Sequence, residues 1–455
     1  MGQLIRRHMI NQIFSSITAF LTVFLSGVWL GWISAVLPKF KAGEIPITVT
    51  SDDLTWMVAL MDFGNLLSPI PCGYLMDRFG RLFPLRLASI LFGVTSVLAL
   101  TATTPYHLYA ARLLAGVGKG IGFTAASIYV AEIAEPKIRG ALSGIFVVML
   151  LGGTAVSMSI GPFISFQNLN WITLLFPTVQ LILSFFIVES PYYFLIRKNE
   201  KSATEVFSKL RDRSKVTSNN AELEVIRKKV EEDMEQPKQF SSLFSGKGNI
   251  KALIIVLVTA VLQRSGGISC TLAYSSTTLP TDTFWNKKIT IIVFAWSCVI
   301  FGLSSMSLVD RFGRKPLQIF STFGLGVITA TSAVFYYFYQ LTTVDVSRFV
   351  WVPHVGVMLF GAVYSVGIGQ IPHTLQSELF PTSTKSQASA LMTMALGVSS
   401  FIVNKIYFTV DQEIGVYCMF LIFAVSNFLC MVFTAVYIFE TKGKSLPEIQ
   451  DILNK

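Results

Sequence analysis

Twelve stretches of this chain are apolar over about twenty residues each, the length a helix needs to cross a bilayer. Six lie near residues 13–37, 54–75, 84–103, 106–130, 140–164 and 171–188. Six more lie near 251–275, 288–308, 316–340, 350–375, 387–409 and 414–438. In hydrocarbon every backbone N–H and C=O must be paired within the segment, so such runs admit helices and little else. Composition bears on this at one point: 14% of the residues are charged, against about a quarter in a soluble domain. The expected fold class is an all-α membrane protein, with twelve transmembrane helices in two six-helix halves.

Residues 191–249 interrupt the pattern. "RKNEKSATEVFSKLRDRSK" and "AELEVIRKKVEEDMEQ" carry dense mixed charge at three- and four-residue spacing, which supports short solvated helices. The expected organisation is a first six-helix half over 1–190, a helical bridge over 191–249, a second half over 250–440 and a tail over 441–455. The net charge of +10 sits in loops between apolar runs, so it reads as a topology signal and no nucleic-acid partner is expected. Threading twelve spans puts Arg6, Arg7, Arg78, Arg81, Arg86, Arg311, Arg314 and the bridge on one side. That side is expected to be cytoplasmic, with both termini on it. The five cysteines lie in or beside apolar runs without metal-ligand spacing, and no cofactor is expected.

The halves repeat each other. "DRFGR" occurs at Asp77 to Arg81 and again at Asp310 to Arg314. Glu132 and Arg139, seven apart, are matched by Glu378 and Lys385. Span 6 ends in "VESP" with Glu189, and span 12 in "FETKGKSL" with Glu440. Three charged motifs recur in one order, offset by 233, 246 and 251 residues. Such a duplication in a membrane protein points to a transporter of two related halves.

This ordered set, with "RLLAGVGKG" of span 4, resembles the sugar-porter family of the major facilitator superfamily along nearly the whole chain. The first span, "FLSGVWLGWISAVLP", is similar to the insect trehalose- and glucose-transporter branch. The resemblance implies a solute held at the midplane while two halves rock about it. It also implies a releasable cytoplasmic gate, in which Arg78, Arg81, Arg311 and Arg314 pair with Glu132, Glu189, Glu378 and Glu440 across neighbouring helix ends. Asp77, Arg139, Asp310 and Lys385 belong to the same motifs.

Polar side chains that the family uses on sugar hydroxyls are partly missing. Val147 and Leu396 stand where Gln and Asn are expected, and "QRSGGIS" replaces Q-Q-L-S-G-I-N. The candidate substrate residues are Gln263, Arg264, Ser269, His373 and Ser400. Four charges fall within spans, where an unpaired charge is costly and usually functional. Asp62 is expected to pair with Arg112, a structural arrangement rather than a proton relay. Lys119 and Arg264 have two readings: they face the cavity and favour an anionic solute, or they pair with Asp62 or with carbonyls at helix breaks.

The expected function is facilitated, alternating-access transport of a small polar solute, foremost a sugar such as trehalose or a hexose. The alternatives are a carrier of another, anionic organic solute and a non-transporting sensor. The chain is not expected to be an enzyme. Its expected partners are the solute and the lipid bilayer, with a monomer as the working unit and the plasma membrane as its location.

Overall fold

Apolar runs this long fold as helices, and the computed structural model shows little else. It describes residues 2–135, 138–211, 216–235, 243–244, 246–281, 286–380, 384–444 and 446–454. The first half contains α1 (Gly2–Lys41), α2 (Ser51–Leu67), α3 (Pro69–Phe79), α4 (Leu82–Leu100), α5 (Pro105–Ile133), α6 (Arg139–Ile160) and α7 (Phe166–Leu183). The bridge contributes α8 (Pro191–Ile196), α9 (Glu200–Leu210) and α10 (Val216–Glu235). The second half contains α11 (Lys247–Ser265), α12 (Ile268–Thr278), α13 (Lys287–Phe312), α14 (Arg314–Leu341), α15 (Trp351–Val366), α16 (Ile371–Leu379), α17 (Lys385–Glu413) and α18 (Val416–Tyr437). A final helix, α19 (Leu446–Asn454), buries Ile449 and Leu453, so part of the expected tail is packed structure.

Three spans are broken, each for a local reason. Span 2 breaks at Ser68, before Pro69 and Pro71, into α2 and α3. Span 7 breaks at Gly266 and Gly267, the latter at φ +104°, a conformation that favours glycine. Span 10 breaks after Val366, and Pro372 opens α16 where its missing N–H costs nothing. Among the described residues, ten stretches are long and apolar enough to cross a membrane by themselves. The other two predicted runs are the interrupted α2–α3 and α7, whose Gln167, Asn168, Asn170 and Gln180 dilute its apolar character.

Small residues set how closely the helices approach. A Cβ at Gly116 of α5 would lie 2.1 Å from the Met61 carbonyl oxygen of α2, and one at Gly64 would lie 2.2 Å from that of Leu113. Gly153 of α6 meets the Phe24 carbonyl of α1 in the same way, at 2.1 Å. Outward faces keep exposed apolar side chains such as Phe320, Val334, Leu421 and Leu429, as contact with lipid requires.

The bridge docks on the first half. Gln12 of α1 donates to the Leu210 carbonyl at 2.6 Å and Asn11 to that of Lys209 at 3.1 Å. Near the bridge the buried clusters stay within one half: Phe20, Met76 and Tyr129 in the first, Leu253, Leu375 and Phe380 in the second. Towards the opposite face two clusters span both halves: one joins Trp29, Trp32 and Met57 to Tyr274, Tyr407 and Phe423, the other Ala155 and Met158 to Ile291 and Phe294. The two halves are therefore sealed together on the face away from the bridge.

Candidate functional site

At the midplane a buried polar network joins the halves. Asp62 of α2 accepts a hydrogen bond from Ser400 Oγ at 2.6 Å and from Asn404 Nδ2 at 3.1 Å, both on α17. Ser400 lies 2.8 Å from Ser269 Oγ of α12. Lys119 of α5 approaches the other Asp62 oxygen at 3.6 Å. These five side chains are all buried.

The expected Asp62–Arg112 pair is not formed. Arg112 instead donates to the carbonyls of Met57 and Trp29, each at 2.6 Å, and ties α5 to α2 and α1. The reason is height. Helices α2 and α5 run in parallel, rising about 1.5 Å per residue. Arg112 stands level with Met57, so the carboxylate of Asp62, five residues further on, meets Lys119 rather than Arg112. Of the two readings for the other cations, pairing holds for Lys119 and fails for Arg264. Among the described residues the Arg264 side chain makes no ion pair or hydrogen bond, and its Nε is shielded from solvent.

Gln263 and His373 belong to the two helix breaks. Gln263 Nε2 donates to the Ile368 carbonyl at 2.6 Å and lies 3.2 Å from Tyr364 Oη, so it stitches the break of span 7 to that of span 10. Its Oε1 is buried without a donor, as is Asn65 Oδ1 of α2. His373 is exposed to solvent although α16 lies within the bundle, which places it on the wall of an open space.

On the bridge face the repeated motifs build two matching knots. In the first, Arg81 forks onto Glu132 at 2.8 and 2.9 Å, and Ser190 donates to the same carboxylate. Glu189 accepts from the backbone N–H of Arg81 at 2.9 Å and of Leu82 at 3.1 Å. In the second, Arg314 reaches Glu378 at 2.8 Å, Thr441 donates to that carboxylate at 2.6 Å, and Glu440 accepts from the N–H of Arg314 and of Lys315, each at 3.0 Å. Asp77 and Asp310 flank their arginines at 3.9 and 3.4 Å.

Glycine is required at both turns. Gly80 and Gly313 have φ of +93° and +94°, and a Cβ there would lie 2.4 and 2.6 Å from Glu189 and Glu440 carboxylate oxygens. Burial opposes the charge of Glu440, yet backbone N–H groups of Arg314, Lys442 and Lys315 hold its carboxyl below the usual range.

Two expected gate pairs are absent. Arg78 hydrogen-bonds Tyr74 at 3.0 Å and stacks on Phe79, while Arg311 stacks on Phe312. The acids assigned to them bind backbone N–H groups instead. Among the described residues both knots keep their bonds inside one half. The side chains of Arg139 and Lys385 lie outside the described residues.

Contacts between the halves concentrate on the face opposite the bridge. Lys405 of α17 pairs with Asp52, lies 3.1 Å from Thr55 Oγ1 and sits 4.3 Å above the Trp56 ring. The Lys405 bond is the main force holding the Asp52 carboxyl below its usual range, against a smaller opposing desolvation. Gln412 donates to Ser51 at 2.8 Å, Lys288 to the Pro162 carbonyl at 3.0 Å and Trp296 to Ser159 at 3.1 Å.

Sequence reading missed Asn404, although it lies one helical turn after Ser400 and therefore on the same face. It also missed Asn65, Tyr364 and the Asp52–Lys405 pair. No local motif marks these, because their partners lie in the other half or in another span.

The chain matches the family model described as "Sugar (and other) transporter" over residues 12–453. Facilitated trehalose transporter Tret1 of Bombyx mori is 25% identical over 415 residues, 91% of this chain and 81% of that protein. Myo-inositol transporter 1 of Saccharomyces cerevisiae is 26% identical over 457 residues, 94% of this chain and 77% of that one. The inward-open conformation of the xylose transporter XylE from E. coli shares the fold, with a TM-score of 0.78, 19% identity, and coverage of 98% of this chain and 99% of that chain.

Proposed function

The chain belongs to the sugar (and other) transporter family, and from that premise we propose that it moves a small sugar, of hexose to disaccharide size, across a membrane by facilitated alternating access. One observation carries the reading: buried polar groups from both halves converge at the midplane while the face opposite the bridge is closed. Solute binds from the bridge side between Asn65, Gln263, Arg264, Ser269, His373 and Ser400. The halves then rock, the Asp52–Lys405 face opens and the bridge face closes. The knots around Arg81 and Arg314 clamp the helix ends of each half, so that each moves as one body.

The bridge face with both termini is the cytoplasmic face, the membrane is the plasma membrane, and the working unit is a lipid-embedded monomer that performs transport rather than catalysis. Facilitated rather than proton-coupled movement fits α1, which contains no Asp or Glu, and an Asp62 already engaged by Lys119, Ser400 and Asn404. The relatives named for trehalose and myo-inositol support a polyhydroxylated solute.

The test is uptake by the purified chain in proteoliposomes, with a panel of labelled sugars, polyols and sugar acids. Saturable uptake that accelerates when the same solute is preloaded inside is the expected result. Absence of uptake and exchange across the whole panel contradicts the reading.

A further inference from the structure

Two cations reach the midplane from opposite halves, and the protein treats them differently. Lys119 has its counter-charge in Asp62, 3.6 Å away. Arg264 has none among the described residues: no ion pair, no hydrogen bond from its side chain, and an Nε closed off from solvent with no acceptor. The side chain is half-buried, and a partly desolvated cation with an idle buried donor favours a partner that completes it. Lys119, His373 and Tyr364 lie within its electrostatic reach, and none of the three offers it a carboxylate.

Helix ends do not supply the missing acceptor either. Arg264 lies in the last turn of α11, whose carbonyl end favours a cation. Helix α12 starts three residues beyond the last residue of α11, so its positive end lies at the same break and offsets that benefit. The side chains therefore decide the sign of the site, and Asp62 is already committed to Lys119.

The idle polar groups in the middle of the bundle describe a solute. Gln263 Oε1 and Asn65 Oδ1 are buried acceptors without donors, suited to hydroxyl protons. Arg264 offers a planar fork of donors suited to a carboxylate or phosphate. A neutral sugar can satisfy the two acceptors and accept from the guanidinium through its hydroxyls, but it brings no charge to match the cation. We propose that the transported sugar carries an anionic group, carboxylate or phosphate, that pairs with Arg264 at the midplane. This rests on the sugar-carrier reading above and narrows it to acidic sugars.

The test compares labelled glucose, glucuronate and glucose 6-phosphate in proteoliposomes of the full chain, as wild type, Arg264→Gln and Arg264→Lys. The three solutes share one ring, and the two acids separate carboxylate from phosphate. The wild type is expected to favour one acid over glucose by about tenfold or more, the scale of a charge-assisted hydrogen bond. Arg264→Gln should abolish that preference and Arg264→Lys should keep part of it. Glucose uptake without uptake of either acid overturns the proposal and leaves the sugar-carrier reading intact. A folded Arg264→Gln chain that still prefers the acid overturns it equally. Uptake of none of the three overturns the proposal, and failure of the whole panel of neutral sugars and polyols with them also removes the reading beneath it. If Arg264→Gln does not fold, competition decides: glucuronate or the phosphate must block labelled wild-type uptake at about tenfold lower concentration than glucose.

Discussion

Replacing Asp62 with Asn leaves the volume of the midplane network nearly unchanged and removes one charge. Lys119 is then a buried ammonium with no counter-charge, since its acid partner in the structure is Asp62. Removing one partner of a buried pair costs about 3–5 kcal/mol. An upper bound comes from the lysine itself, which can escape by losing its proton. From an ordinary pKa near 10.4, discharge at pH 7 costs about 4.6 kcal/mol, and at pH 9 about 1.9 kcal/mol. The defect should therefore shrink by up to about 2.7 kcal/mol between those pH values. Adding Lys119→Gln removes the stranded charge and should restore most of the loss at pH 7. The assay is thermal unfolding of the detergent-solubilised chain, followed by tryptophan fluorescence, for wild type, both single variants and the double. An Asp62→Asn chain that melts with the wild type refutes the reasoning. So does a double variant no more stable than Asp62→Asn alone.

The repeated motif should respond unevenly to mutation: Arg81→Gln breaks a buried fork onto Glu132 and should cost about 3–5 kcal/mol, whereas Arg78→Gln should cost less than about 0.5 kcal/mol in the same melting assay. Gly116→Ala drives a methyl into the Met61 carbonyl and should cost about 1–3 kcal/mol, visible as reduced yield of monodisperse protein. Glu440 has a lowered pKa in the folded chain, so its stabilisation is present above the ordinary glutamate value of about 4.3 and is lost as pH falls through the lower folded value. Glu440→Gln should accordingly melt below wild type at pH 7, with the gap closing only in acid below about pH 4. Lys405→Gln removes a pair whose Asp52 side chain is 72% exposed; it should cost no more than about 1 kcal/mol and raise labelling of a cysteine placed at Ser51.

The helices and the duplication were legible because both are written locally. A run of twenty apolar residues and a recurring "DRFGR" need no knowledge of distant partners. The knots were half legible. The acids and bases of each motif come together, but the motif does not say that only the second arginine turns inward. That depends on the turn at Gly80 and Gly313, which brings Arg81 and Arg314 against Glu132 and Glu378 and leaves Arg78 and Arg311 on the surface.

The midplane was least legible. Pairing Asp62 with Arg112 was reasonable by charge and failed by helix height, a quantity fixed by how α2 and α5 align through Gly64 and Gly116. Lys119 and Arg264 look alike in sequence as lone cations in apolar runs. Only the fold reveals that, among the described residues, one has an acid beside it and the other does not. Asn404 escaped notice because its partner Asp62 is 342 residues away.

Alternating access is the central claim, and the closed face offers its most direct test. Ser51 and Gln412 touch across the two halves at 2.8 Å. Cysteines at both positions, joined by a short cleavable bis-thiol reagent, tether that face shut. Alternating access predicts that transport stops when the link forms and returns when it is cleaved, while either single-cysteine chain is unaffected. Transport at full rate through the linked protein would contradict it.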